Sequence, residues 1–309
     1  MAATAPMTAT AHQDEFSVMG THAEVQVVDG DPAVLRQVRA RLASLEARWS
    51  RFLPGSDISV LNRSAGSWVP VADETLLLFD RAVAGARATD GRYDPTVGAA
   101  LVAHGYDRTF VEVAAHAADL TPFPVIDASW PAIEVDVSNG TACLPAGTTF
   151  DPGGIGKGLA ADLVADEFAN QVAGILVNVG GDIRLRGTAA DPAGWVISIE
   201  DPFDPDRELA RLAVPDGAVA TSSRHRRRWE TASGPAHHII DPRTGRPAET
   251  GVVAVSVVAA EAWWAEVQAT SLFLLGPDGL ATMDGTVEAL MVIDGGSRCA
   301  TPSFAAVLR

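Results

Sequence analysis

The chain has 309 residues, 47% of them hydrophobic and 20% charged, enough to bury a sizeable core in one large domain or two closely joined ones. Its net charge of −16 argues against a nucleic-acid partner, and two scattered cysteines, Cys143 and Cys299, make neither a disulfide scaffold nor a cysteine zinc site. The N-terminus lacks a positive n-region and an apolar core, and no apolar run is long enough to cross a bilayer, so the sequence predicts a cytoplasmic protein without membrane insertion. It predicts a disordered tail over 1–15 and one folded domain over 16–309.

Residues 16–28 alternate apolar and polar around Met19-Gly20-Thr21 and predict a strand pair. Asp31-Pro32 opens a helix that runs to about Trp49, with Val34, Leu35, Val38, Leu42 and Leu45 on one face. Pro54-Gly55 stops it, and 56–66 reads as a loop with a short helical turn. A second helix spans about Asp73–Thr89. After Gly91-Arg92-Tyr93, Asp94 is placed as an N-cap with Pro95 at the first position of another short helix. Residues 105–134 give no clear pattern. Between Ile133 and Phe150, Asn139-Gly140 marks a hairpin of two short strands.

The chain is organised around Phe150–Asp162. Four glycines (Gly153, Gly154, Gly156, Gly158) bracket Lys157, and Leu159, Leu163, Val164, Phe168 and Val172 continue at helical spacing until Gly174, which is placed to end the helix. A glycine-rich turn opening a helix leaves backbone N–H groups free to face an anion, and the helix dipole and Lys157 add positive charge. The simplest ligand is a phosphate or pyrophosphate; the competing reading is a tight structural turn. Gly158 stands where a Walker A loop needs Ser or Thr, and the spacing G-G-x-G-x-G is not that of a Rossmann fingerprint.

Beyond it, two strands over 175–187 flank Gly180-Gly181-Asp182, and 195–199 is a third. Residues 201–211 read as a charged loop. A strand over 212–220 leads into Thr221-Ser222-Ser223 and a basic island, Arg224, His225, Arg226, Arg227 and Arg228. A strand at 252–259, a helix at 261–275 ended by Gly276-Pro277, a last strand at 288–293 and a turn at Gly295-Gly296 complete the chain. Strands and helices mix without strict alternation, which predicts an α+β fold with a largely antiparallel sheet and packed helices.

Two further constellations carry chemistry. Glu266, Ala269 and Thr270 stand at i, i+3 and i+4, so they share one helix face. A carboxylate and a hydroxyl one turn apart are hard oxygen ligands of the kind Mg²⁺ takes together with water and substrate phosphates; the bland alternative is a surface Glu beside a back-bonded Thr. His238, three residues before Asp241-Pro242, is a candidate general base or part of a turn-capping pair. His237 and His238 alternate, so only one faces inward. An anion cradle, a cation-binding pair, a basic island and a His–Asp pair together fit phosphoryl or nucleotidyl transfer.

In order along the chain, several pieces resemble the bacterial flavin transferases of the ApbE type (FAD:protein FMN transferases). They are M-G-T at 19–21, W-S-R-F at 49–52 with S-D-I-S-V-L-N at 56–62, and G-R-Y-D-P-T-V-G at 91–98. Then come D-P-G-G-I-G-K-G-L-A-A-D at 151–162, V-N-V-G-G-D-I at 177–183, H-H-I-I-D-P-R-T-G-R-P at 237–247 and A-E-V-Q-A-T at 265–270. The resemblance implies an enzyme that uses Mg²⁺ to cleave FAD and joins FMN to a Thr or Ser of an acceptor flavoprotein, releasing AMP. It places Met19, Phe52, Arg92, Tyr93, Asp94, Asp151, Lys157 and Ile240 at FAD. It places Glu266, Thr270 and the carbonyls of Gly154 and Ala269 around the metal. His238 is expected near the reacting phosphate as the base, with Lys157 and with Asp241 or Asp182 nearby. The alternative is an FAD-binding protein or an FAD diphosphatase without acceptor transfer. The sequence departs from the family pattern in having Glu266 for the usual Asp, S-S-R-H-R-R-R-W after Thr221, and no lipoprotein or secretion signal.

Overall fold

The computed structural model describes residues 9–114, 129–231 and 234–309. Eight strands form one antiparallel sheet. Their spatial order is Ala11–Val18, Thr21–Val28, Gly174–Val179, Asp182–Gly187, Gly217–Ser223, Val252–Ala259, Glu288–Ile293 and Arg298–Ala300. Three helices, Ala33–Trp49, Gly156–Phe168 and Ala262–Leu275, bury one face of the sheet in the main core. A hairpin of Val196–Asp201 and Asp204–Ala213 covers part of the other face through Trp195, Ile197, Ile199 and Leu212. Covered on both sides, Val252–Ala259 is apolar along its length except at Ser256, rather than alternating. The expected α+β class with antiparallel pairing is what is found.

The differences from expectation have local causes. The first strand begins at Ala11, so residues 11–15 pair with the second strand instead of lying in a tail; residues 1–8 lie outside the described residues. It is an edge strand with an exposed polar face, so it carries little apolar signal. The charged 201–211 stretch is an arm of the hairpin for the same reason. Residues 56–66 contain a true helix, Asp57–Arg63, capped by Ser56 Oγ accepting from Ser59 N at 3.0 Å. The Gly156–Phe168 helix gives way to a 3-10 turn, and Gly174 starts a strand rather than ending the helix. Asp94 caps no helix: its Oδ1 accepts from Thr96 N and Oγ1 at 2.7 and 2.6 Å, and the next helix begins only at Gly98. The Asn139-Gly140 hairpin is present. Of the unpatterned 105–134 stretch, Phe110–Ala114 is helical and 115–128 lie outside the described residues.

Two contacts between the Gly156–Phe168 and Ala262–Leu275 helices set the site. A Cβ on Gly158 would lie 2.4 Å from the Ala262 carbonyl oxygen, so only glycine lets the backbones approach so closely. One turn on, Asp162 reaches across and accepts from the N–H groups of Ala262 and Trp263 at 2.9 and 2.8 Å. It thereby caps a helix 100 residues away with a side chain that the helix's own N-cap, Glu261, does not supply. Gly158→Ala is therefore expected to destabilise the fold by roughly 1–3 kcal/mol through overpacking, outweighing the gain in helix propensity. Gly55→Ala, with open space around it, should stay within about 0.5 kcal/mol. Unequal urea midpoints for the two variants are the expected outcome; equal ones would refute the contact.

Candidate functional site

A cleft of about 650 Å³ opens where both helices meet the ends of the central strands. At its floor the Lys157 ammonium lies between the carboxylates of Asp182 and Glu266, bonded to both. Lys157 is the only lysine in the chain, every other basic side chain except histidine being arginine. Its compact ammonium carries three rotatable donors, enough to bond both carboxylates at once. Glu266 Oε2 also accepts from Gly158 N at 2.9 Å. Asp182 is delivered by the Gly180-Gly181 hairpin turn, which packs on the Met19-Gly20 turn; a Cβ on Gly180 would sit 2.6 Å from Thr21 Oγ1. Met19 is itself held at φ 53°, a left-handed conformation unusual for a side chain of its size, and it lines the cleft.

Two carboxylates share one ammonium, so the cluster is negative. Burial first, and then the neighbouring Asp182 charge, push Glu266 upward. Burial works against Lys157, but the two carboxylates overrule it and keep it protonated. This corrects the sequence reading of an anion cradle. The lysine charge is already matched, and four amides of the glycine turn are engaged. Gly153 N donates to Asp151 Oδ1 at 2.7 Å, Ile155 N and Gly156 N to Pro152 O, and Gly158 N to Glu266. The glycines serve close packing as much as ligand approach.

Beside the turn, Asp151 Oδ2 is paired with Arg51 Nε at 2.5 Å. The Arg51 guanidinium lies 4.2 and 4.6 Å from the ring centroids of Phe52 and Tyr106. Sequence reasoning missed Arg51 and Tyr106, although Arg51 stands inside the W-S-R-F motif. The Tyr93 ring packs on Gly154, where a Cβ would come within 3.0 Å of Cε2 and 3.8 Å of Thr270 Oγ1. Among the described residues Tyr93 Oη and Asp94 Oδ2 are buried with no hydrogen-bond partner, and both residues line the cleft. Arg92 and Ile240 line the same cleft, and Thr270 Oγ1 meets Ser222 Oγ at 3.3 Å.

The two histidines face opposite ways. His237 turns away from the cleft: Nδ1 accepts from Ile239 N at 3.3 Å and Nε2 donates to Ala248 O at 3.1 Å. Protonating Nδ1 would set two donors face to face, and burial pushes the ring down to about 4. His238 lines the cleft. Its Nδ1 faces Arg227 O at 3.4 Å; a carbonyl only accepts, so Nδ1 carries the proton and Nε2 is the basic nitrogen. Burial, then the charge of Arg227, hold it well below the usual imidazole value, hence neutral. Asp241 is not its partner. It accepts from Arg243 N and pairs with the Arg243 guanidinium through both oxygens, and it is not part of the cleft wall. On a chain that turns at Asp-Pro, its short side chain closes its own turn. Ala269 is fully buried and lies behind the wall rather than in it.

The donors fit a hard divalent cation in kind: Glu266 and Asp182 carboxylates carrying an excess negative charge, and the Thr270 hydroxyl one turn from Glu266. Among the described residues no three acidic, His or Cys side chains gather into a closed metal cage. No helix among the described residues is long and apolar enough to cross a membrane.

A profile of the ApbE family matches residues 19–291. The chain is 31% identical over 280 residues, 84% of its length and 77% of the relative's, to an FAD:protein FMN transferase of Treponema pallidum. The fold is similar to the crystal structure of an ApbE protein from Thermotoga maritima, at TM-score 0.88 and 26% identity over 97% of this chain and 100% of that one. It is likewise similar to a flavin transferase ApbE from Vibrio cholerae, at TM-score 0.81 and 26% identity over the same shares.

The histidines predict an acid response. Below pH 6.5 the unfolded chain takes up protons that folded His237 and His238 refuse, so stability is present above 6.5 and is lost as pH falls toward 4. Asp162 and Glu266, both pushed upward by burial, act in the opposite direction but equally in both proteins, so the readout is the difference: wild type should lose melting temperature relative to His237→Asn as pH falls from 6.5 to 5. A difference that stays constant over this range would contradict the assignment.

Proposed function

Because this chain belongs to the ApbE family, we propose that it is an FAD:protein FMN transferase, using Mg²⁺ to move FMN from FAD to a Thr or Ser hydroxyl of an acceptor flavoprotein. The observation that carries the reading is the convergence of Lys157, Asp182, Glu266, Thr270 and His238 on one cleft of dinucleotide size. The aromatic and apolar wall around Phe52, Tyr106 and Ile240 offers a surface for a ring system, and Tyr93 and Asp94 offer it unpartnered polar atoms.

In the proposed reaction the acceptor oxygen forms a bond to the FMN phosphorus. The bond from that phosphorus to the bridging oxygen breaks, and the oxygen leaves with AMP. The hydroxyl proton passes to Nε2 of neutral His238, whose Nδ1–H is fixed by Arg227 O. Glu266, Thr270 and the carbonyl of Gly154 would hold Mg²⁺, which would supply positive charge to phosphate oxygens. Lys157 keeps the two carboxylates from repelling each other and holds Asp182 and Glu266 at one place. Glu266 is longer than the family's usual Asp, and that length lets one carboxylate reach both Gly158 N and Lys157.

Chromatography of the products from FAD and Mg²⁺ tests this directly. With an acceptor flavoprotein present, flavin should become covalently attached with equimolar AMP; FMN and AMP without attachment would mean a diphosphatase, and no turnover a binding protein. Glu266→Gln keeps an acceptor for Gly158 N and removes the surplus charge. Its NH₂ then faces the Lys157 ammonium, so the melting temperature should fall modestly with the fold retained, while transfer drops about 100-fold or more. Full activity in that variant would remove Glu266 from the reaction.

A further inference from the structure

The cleft holds more arginine than its acidic partners can match, and the mismatch falls on one residue. Arg51 is paired with Asp151 at 2.5 Å, Arg226 with Glu200 at 2.7 Å and Arg92 with Asp90 at 3.7 Å. Lys157 is held by Asp182 and Glu266. Outside the cleft Arg224 is tied to Asp294. Arg227 lines the cleft, is half-buried, and among the described residues has no carboxylate partner. Its one side-chain bond is from Nη1 to the Tyr106 hydroxyl at 3.0 Å, which fixes the guanidinium without neutralising it. Most of its five N–H donors remain available.

We propose that Arg227 is the phosphate-binding residue of this cleft, its guanidinium taking the non-bridging oxygens of the FAD pyrophosphate beside His238. This rests on the transferase reading above and names the residue that recognises the substrate's charged part, a role the sequence reading gave to the glycine turn and Lys157 and, more generally, to the guanidinium groups after Thr221. Three further observations agree. The backbone of the same residue seats His238, with His238 N and Nδ1 both directed at Arg227 O at 3.3 and 3.4 Å, so a phosphate held by the side chain lies next to the proposed base. Arg227, His238 and Lys157 all line the same cleft. Tyr106, which orients it, also stacks against Arg51 and Trp229, so the guanidinium hangs from a packed aromatic cluster rather than from a free loop. A planar fork with paired donors suits two oxygens of a diphosphate better than an ammonium does.

Flavin fluorescence titrations compare FAD with riboflavin, which has the ring but no phosphate. Arg227→Gln should weaken FAD binding about 10- to 100-fold and leave riboflavin within twofold; Arg227→Lys should fall between. Arg228→Gln, an exposed arginine outside the cleft, should match wild type for both ligands. Wild-type protein that fails to bind FAD would overturn the transferase reading itself. Wild type that binds FAD, with Arg227→Gln binding it equally well, would overturn only the role of Arg227. A second measurement needs no variant: inorganic pyrophosphate should protect Arg227 of the wild-type chain from phenylglyoxal, as mapped by peptide mass spectrometry. Equal labelling with and without pyrophosphate would count decisively against the assignment.

Discussion

The site depends on two helices that touch backbone to backbone. Gly158 lets the Gly156–Phe168 helix approach the first turn of the Ala262–Leu275 helix, and Asp162 then ties that turn down through two amide hydrogen bonds. Only at this separation can Lys157 from one helix and Glu266 from the other share a bond, with Asp182 arriving from the sheet between them. The chemistry is thus placed by packing: the helix axes are fixed by a missing methyl group and a borrowed cap, and the charged groups follow.

Much of this is legible in the sequence, and what is not has a common cause. Amphipathic helices and hairpin turns announce themselves locally, so Ala33–Trp49, Asp73–Ala88, the Asn139-Gly140 turn and the Gly180-Gly181 turn are all readable. The ordered motifs point to the family and group Met19, Phe52, Tyr93, Lys157, His238 and Glu266 from their letters and chain order alone. Partner choice is not readable, because it is decided by residues distant in the chain. Along the chain Lys157 looks free for an anion and Gly158 looks like part of a loop; the second helix supplies Glu266 and Ala262 O and changes both roles. Asp241 looks like a companion of His238 because the two are close in sequence, yet its own turn and Arg243 claim it. Polar edge strands, Ala11–Val18 and Asp204–Ala213, are hidden for want of an apolar face.

Structural and chemical duties are interleaved residue by residue in the glycine stretch. Asp162 and Gly158 hold helices together, while Lys157 beside them orders two carboxylates. The paired histidines divide labour in the same way: His237 is spent on Ile239 N and Ala248 O, and His238 keeps its Nε2 for the cleft. Like residue types in adjacent positions carry unlike roles because alternate side chains of one extended segment face opposite ways.

A lone lysine, sunk at the meeting point of two helices, leaves an outer surface whose basic side chains, histidine aside, are guanidinium groups only. Among side chains, amine-directed chemistry such as acetylation, reductive methylation or succinimidyl coupling therefore has a single address in this protein, and it is locked between two acids. Reaction there would report the momentary opening of that lock rather than general accessibility, so the rate of modification becomes a clock for the breathing of the cleft floor.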